Sequence, residues 1–444
     1  MLIFSQRSRY GDPGGVKMDI ERMKRVFEKT DYVHTSGSAE ELKAAEVLLD
    51  ECRSLGVEAR LESFRVPMAD GAEAYVFADG AELPCRPMLC CGSGKVEGEL
   101  YYMPSIDKVS LTGAKDRIVL LDTGVGLFTY KDLVDAGALG ILFQYGNMYY
   151  PEKDIDLRDL REYVVNGEKK LLCAMLHSSD AVKLVAEGVK RVSIEVVQRE
   201  YDGESHNVVA EIPGKRDEYI TLSAHLDSTS MSHGAYDNMS GCVGLLGVME
   251  ALKGAELNYG LRFVFCGSEE RGLLGSKAYV RDHDGEMDKT ALNINLDMIG
   301  SIMGKFIARV TAEERLVHYI SYMGAELGFP ISAKTGVYSS DSSSFADKGV
   351  PAVSFARIAS SNVAPIHCRY DDAKLLSTER LDRDIAFITE FTRRMACAAV
   401  CPQKIDIPAE LRKLAQIRPQ LPSWAKICHD REENAKKLRS QGLM

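Results

Sequence analysis

Two hydrophobic periods alternate along the chain. Between Ser38 and Gly56 apolar residues recur at helical spacing, with Leu42, Ala45, Leu49, Cys52 and Leu55 on one face. Ser38-Ala-Glu-Glu41 reads as a capping box at the start of that helix, and Gly56 as its stop. A strand is predicted near Val57 to Val66. From about Gly71 to Gly203 the pattern gives way to short strands and glycines, and at Asn207-Val-Val-Ala-Glu-Ile-Pro-Gly214 the alternation of strands and helices resumes. Downstream, Thr311-Ala-Glu-Glu314 predicts a second cap, for a helix that turns Leu316, Ile320, Met323 and Leu327 inward. This order predicts an α/β fold: a doubly wound, mostly parallel sheet with helices on both faces, interrupted by a small α+β insertion. The expected boundaries are 18–70 and 204–400 for the discontinuous main domain, 71–203 for the insertion and 401–444 for a C-terminal extension.

Short apolar runs in the main domain end in polar groups of a particular kind. Tyr219-Ile-Thr-Leu-Ser-Ala-His225 delivers His225 and Asp227, and Asp237 lies in Gly234-Ala-Tyr-Asp-Asn-Met-Ser-Gly241, which opens a helix-like segment. Glu269 and Glu270 close Arg262-Phe-Val-Phe-Cys-Gly-Ser, Asp297 closes Ala291-Leu-Asn-Ile-Asn-Leu, and His367 follows Pro351-Ala-Val-Ser-Phe-Ala356. In an open parallel sheet the carboxyl edge of the strands is where ligands bind, because the loops leaving the strands converge there. Imidazole and carboxylate without thiolate suit a catalytic zinc that keeps an open position. Five candidate ligands exceed the three of a mononuclear catalytic zinc, and one carboxylate can bridge a pair held roughly 3.5–4 Å apart. Taken singly, each residue is more simply a cap, a turn former or a solvated side chain. The ordered set is not explained that way.

At these motifs the chain resembles the family-28 metallopeptidases, the co-catalytic zinc aminopeptidases and their relatives. The matching stretches are His225-Leu-Asp227, Gly234 to Gly241, Glu269-Glu-Arg-Gly-Leu-Leu-Gly-Ser276, Asn295-Leu-Asp-Met-Ile-Gly300 and His367-Cys-Arg-Tyr-Asp371. The resemblance implies a zinc-exopeptidase fold, like that of the phosphorylase/hydrolase group. It also implies two Zn²⁺ ions, with His225 and Asp297 on one, Glu270 and His367 on the other, Asp237 bridging, and Glu269 as general base. Asp227 is read as the acceptor that orients His225, and the Asp227–Ser228 peptide is expected to be cis, as is common in the family. A water between two cations loses its proton near neutrality, and Glu269 is placed to take it. Cys368 departs from the family's usual Thr and is read as a small side chain turned away from the ions.

Within the interruption, Gly94-Lys-Val-Glu-Gly-Glu-Leu100, Asp116-Arg-Ile-Val-Leu-Leu-Asp122 and Tyr130 to Phe143 resemble a protease-associated domain, expected to cover part of the cleft. Adjacent Cys90 and Cys91 are expected in a buried strand. Ser339 to Ser344 reads as a tight active-site loop, and Tyr338 beside it as either an oxyanion donor or a pocket wall.

Composition narrows the partners. A net charge of −10 without a Lys/Arg-rich block argues against nucleic acid, and no run approaches the roughly 20 apolar residues of a membrane span. Eleven cysteines, an odd number scattered through apolar segments and lacking an export signal, read as reduced thiols of a cytoplasmic protein. Residues before Met18 read as a loose leader. The tail, with Trp424, Leu411, Leu414 and Ile417, reads as a surface that docks on the body or on a second copy in a homo-oligomer. The expected function is a di-zinc aminopeptidase acting on short peptides, with an acidic pocket that holds the substrate α-ammonium. A metallocarboxypeptidase using Arg357 and Arg369, a glutaminyl-cyclase-like enzyme and a metal-free receptor or scaffold remain alternatives.

Overall fold

The computed structural model describes residues 19–399 together with the helical positions 433, 436, 437, 439 and 440. The expected leader and Trp424 with its neighbours lie outside the described residues. A single mixed sheet of 14 strands carries the described chain. Its centre is parallel: Gly260–Cys266, Tyr219–His225, Thr290–Leu296 and Ala352–Ile358 lie side by side in that order. Lys305–Thr311 then pairs antiparallel with Ala352–Ile358, and Arg191–Ile212 pairs antiparallel with Gly260–Cys266. The expected mostly parallel sheet is therefore mixed at both flanks.

Alternate residues of the central strands face two different layers, as the pleat requires. Leu261, Phe263 and Phe265 join the large core with the helices Ala39–Ser54, Ser240–Leu252 and Thr378–Cys397. Val264 and Cys266 meet Tyr279, Val280 and Phe345 of the helices Leu274–Asp282 and Ser342–Asp347 on the other side. Ser240–Leu252 is buried along almost its whole length, and Gly244 permits this, since a Cβ there would come within 2.6 Å of Leu296.

A long antiparallel ribbon, Glu58–Ala78 with Arg191–Ile212, links this body to a second core drawn from residues between Val76 and Val196. One half of Arg191–Ile212 pairs with Leu261 to Phe265 and the other with Gly94 to Glu99, so the sheet continues from one core into the next. There Gly94–Tyr102, Arg117–Leu121, Gly140–Tyr145 and Leu172–His177 run parallel. The strand expected to stop at Val66 runs on because its partner does.

Local expectations differ in instructive ways. Ser38 does cap Ala39–Ser54, accepting from Glu41 N at 3.0 Å, but the Glu41 carboxylate turns to Gly37 N and to the distant Ser268. Leu42 lies at the margin of the buried face, which Ala44 and Leu48 occupy with Ala45, Leu49 and Cys52. Thr311 caps no helix: it ends the strand Lys305–Thr311 and donates to Gly336 O, so Glu314–Glu326 starts after Glu313. Cys90 and Cys91 are buried in a turn rather than a strand, with Cys90 at φ 63°. The nine cysteines among the described residues are free thiols, and no helix among those residues is long and apolar enough to cross a membrane.

Candidate active site

Each central strand delivers one piece of the site. His225 is the last residue of Tyr219–His225, Glu269 and Glu270 follow Gly260–Cys266, Asp297 follows Thr290–Leu296, and His367 lies beyond Ala352–Ile358. Asp237 sits in the turn Ala235–Met239 that opens Ser240–Leu252. Gly241 lets that helix start touch the strand end: a Cβ would lie 2.5 Å from Leu296 O. Asn238 ties the two together, donating to Leu296 O at 2.9 Å and accepting from Met298 N at 3.0 Å. The cis peptide is Asp237–Asn238, not the expected Asp227–Ser228.

These residues form two triads with one member in common. Ligand atoms of His225, Asp237 and Asp297 lie within 4.8 Å of one another, as do those of Asp237, Glu270 and His367. Asp237 presents Oδ1 to His225 Nε2 at 3.1 Å and Oδ2 to His367 Nε2 at 3.1 Å. Asp297 Oδ1 is 3.9 Å from His225 Nε2, and Glu270 Oε1 is 2.9 Å from His367 Nε2. Glu270 Oε1 and Asp297 Oδ1 are buried yet have no hydrogen-bond partner, although imidazole nitrogens stand close by. Buried carboxylate oxygens without donors are costly unless a cation satisfies them. Oxygens and ring nitrogens converging in this way fit divalent ions held by nitrogen and oxygen.

The electrostatics describe the same cluster. Burial pushes Asp297 up to about 7 against the pull of His225. Glu269 is raised well above the carboxylate range by burial, with Glu270 adding repulsion. For Asp237 burial acts upward, but His225 and His367 outweigh it and hold the group below its ordinary value. Burial pulls His367 down, and Glu270 and Asp237 reverse this to give about 11.

The surrounding hydrogen bonds fix the Glu269–Glu270 loop. Asp227 accepts from Glu269 N at 2.8 Å, Glu270 N at 3.1 Å and Ser36 Oγ at 2.7 Å. His225 Nδ1 is nearer to the Asp227 carbonyl (3.2 Å) than to its carboxylate (3.6 Å). Asp227 therefore holds the loop more directly than it holds the imidazole. Glu41 accepts from Ser268 N and Oγ at 2.8 and 3.1 Å. Asp371 accepts from Tyr236 N and Asp237 N at 2.8 and 3.2 Å, which anchors the turn carrying Asp237.

A cavity of about 460 Å³ opens over the two triads, lined by His225, Asp237, Glu269, Glu270, Asp297, Tyr338, Ser339 and His367, and also by Arg158, Arg161, Tyr163 and Lys277. Tyr338 thus faces the acidic groups, and burial followed by Asp297 keeps its hydroxyl protonated far above its ordinary range. Cys368 is absent from that lining and borders a neighbouring cavity with Tyr150 and Tyr370. Half of the serine-rich stretch is the first turn of Ser342–Asp347, with Ser342 and Ser344 bonded to Ser354 and Ser276. Arg357 is bound to buried Asp384 and Arg369 to Asp154, so neither serves the cleft. The expected acidic pocket is also incomplete as a description. Four carboxylates line the cavity, which two divalent ions would balance, and three cationic side chains line it as well.

Residues 207–392 match the family model of Peptidase family M28. Leucine aminopeptidase 2 of Arthroderma otae is 31% identical over 238 residues, 52% of this chain and 47% of that protein. Aminopeptidase YwaD of Bacillus subtilis is 26% identical over 376 residues, 78% of each chain. The chain spans about half the length of the fungal leucine aminopeptidases it matches. Among solved structures, BSAP, a zinc aminopeptidase from Bacillus subtilis, shares the fold with a TM-score of 0.73 at 20% identity, over 88% of this chain and 99% of that one.

Proposed function

We propose that this chain is a two-zinc aminopeptidase that removes amino-terminal residues from short peptides. The observation that carries the reading is Asp237, whose two oxygens belong to two different imidazole–carboxylate triads. The donor set of histidine and carboxylate suits zinc, and aminopeptidases stand among the relatives. In this reading His225 and Asp297 would hold one ion, Glu270 and His367 the other, and Asp237 would offer an oxygen to each. Bound zinc supplies an acidified water and polarises the scissile carbonyl.

Glu269 faces the same cavity without belonging to either triad, so once neighbouring divalent cations offset the burial that otherwise keeps it protonated, its carboxylate would serve as the general base and then carry the proton to the departing amine. The bonds from Asp227 to Glu269 N and Glu270 N keep the two glutamates in separate roles, one toward the metal and one toward the water. Tyr338 keeps its proton and donates to the carbonyl oxygen as negative charge develops there. The inserted region is a protease-associated-like domain that narrows the entrance, and the free thiols fit a cytoplasmic setting.

The test is the identity of the residue released from a tripeptide whose amine is free or acetylated, measured by mass spectrometry on zinc-loaded protein. Release of the first residue, abolished by acetylation, is expected. Release of the last residue instead would replace this reading with a carboxypeptidase.

A further inference from the structure

The cleft is lined by basic side chains as well as by the acidic groups at the strand ends. Arg158 and Arg161 belong to the inserted region and reach the same cavity as the two triads, and Lys277 of Leu274–Asp282 lines it with them. Both arginines are held from behind. Arg158 Nε is 2.6 Å from buried Asp156, which offsets part of its charge, and Arg161 Nη2 donates to Glu270 O at 2.8 Å. Asp156 is itself tied to the body through Ser230, which donates to it at 2.7 Å from Oγ. The guanidinium groups are therefore placed by the fold rather than left on flexible stems. Neither Arg158 Nη1 nor Arg161 Nε has a hydrogen-bond acceptor among the described residues.

Arg158 has a further peculiarity. Its Nη2 lies 3.1 Å from His367 Nδ1, while Nε2 of the same ring faces Glu270 and Asp237. Arg158 Nη2 also donates to Tyr145 Oη at 3.4 Å, which leaves Nη1 as the guanidinium nitrogen without an acceptor among the described residues. A carboxylate is the acceptor whose geometry suits a guanidinium fork, and two neighbouring arginines suit it better than one.

We propose that Arg158 and Arg161 form a carboxylate-binding subsite that selects substrates carrying a carboxylate close to the scissile bond. That group is either an acidic side chain or the terminal carboxylate of a very short peptide. The inference rests on the peptidase reading above and names the substrate class it favours. It also gives the inserted region a role in recognition as well as in covering the cleft.

The experiment compares zinc-loaded full-length protein on three free-amine dipeptides: Leu-Gln amide, Leu-Glu amide and Leu-Gln with a free terminus. Binding is measured calorimetrically with the Glu269→Gln protein, so that peptide is not consumed, and KM is measured with the wild type. The carboxylate-bearing peptides are expected to bind about tenfold tighter than Leu-Gln amide, as charge-assisted hydrogen bonds in a partly buried site allow. Leu-Glu amide alone gaining identifies the side chain as the source, and the free terminus alone gaining identifies the chain end. Arg161→Gln should bring the affinity ratio close to one. Arg158→Lys, which keeps a cation beside Asp156, should reduce it partially. Equal binding of all three peptides by the wild-type site, or a ratio unchanged in both variants, overturns the proposal. Turnover failing on every peptide while the binding ratio holds counts against the aminopeptidase reading and leaves the subsite standing.

Discussion

The two half-sites share Asp237 but sit in different surroundings. The triad of His225, Asp237 and Asp297 is wholly buried, built from the ends of two adjacent strands and the turn Ala235–Met239. The triad of Asp237, Glu270 and His367 is more open, with the His367 side chain 31% exposed and its loop bonded to Oη of Tyr145, a residue packed against the second core. The first is set by the rigid sheet. The second depends on a loop and on a contact between two cores. The inner half-site should therefore behave as structure, and the outer one as the place where substrate and metal exchange.

The sharpest way to break this comparison is to remove one imidazole from each side. His225→Ala should abolish activity and lower thermal stability as well, because it leaves Asp237 and Asp297 buried without their cationic or metal partner. His367→Ala should also abolish activity but keep one ion and nearly the wild-type melting temperature. Elemental analysis and calorimetry read both. Equal metal loss and equal destabilisation would show that the two half-sites do not differ as described.

A smaller effect separates the paired glutamates. Glu269→Gln should keep both ions and lower kcat by about 10²–10⁴-fold, the usual range for a lost general base. Glu270→Gln should lose the outer ion instead. If both variants lose metal equally, the base has been assigned to the wrong residue.

The smallest effect concerns Glu41, the buried carboxylate that reaches from the first long helix to Ser268. Burial pushes it up to about 8. A carboxyl raised in this way contributes stability that is present below its unfolded value and lost as pH rises through its folded value. The metal-free protein should therefore lose stability between about pH 4.5 and pH 8, and Glu41→Gln should flatten that slope by on the order of a few °C in melting temperature. An identical slope in the variant would remove Glu41 from the account.

What the sequence disclosed and what it withheld follow one physical line. His225, Glu269, Glu270 and Asp297 could be grouped from the sequence because they come in order at the ends of successive apolar runs and the sheet edge collects such ends, although each alone reads as a cap or a turn former. Asp237 was readable within its glycine-flanked motif. Asp371 was visible as a spacing, but its bonds to Tyr236 N and Asp237 N were not, because backbone donors carry no sequence signal. Glu41 fits a cap by its local pattern, and only tertiary structure brings Ser268 to it. Arg357 and Arg369 lie near His367 in sequence, yet their guanidinium groups pair elsewhere, and Arg158 and Arg161 supply basic side chains to the cleft from far upstream. Proximity along the chain says little about direction where loops carry the residues. The inserted stretch has no period that marks which of its polar residues face the cleft.

The central claim is that one carboxylate serves two metal ions, and metal stoichiometry tests it most directly. Protein stripped of metal, titrated with zinc and assayed by elemental analysis after removal of free ions, should carry two ions per chain. The Asp237→Asn protein, at the same free zinc, should carry neither at full occupancy, since the bridge is shared. One ion in the wild type at saturating zinc, or two fully bound ions in Asp237→Asn, would contradict the account.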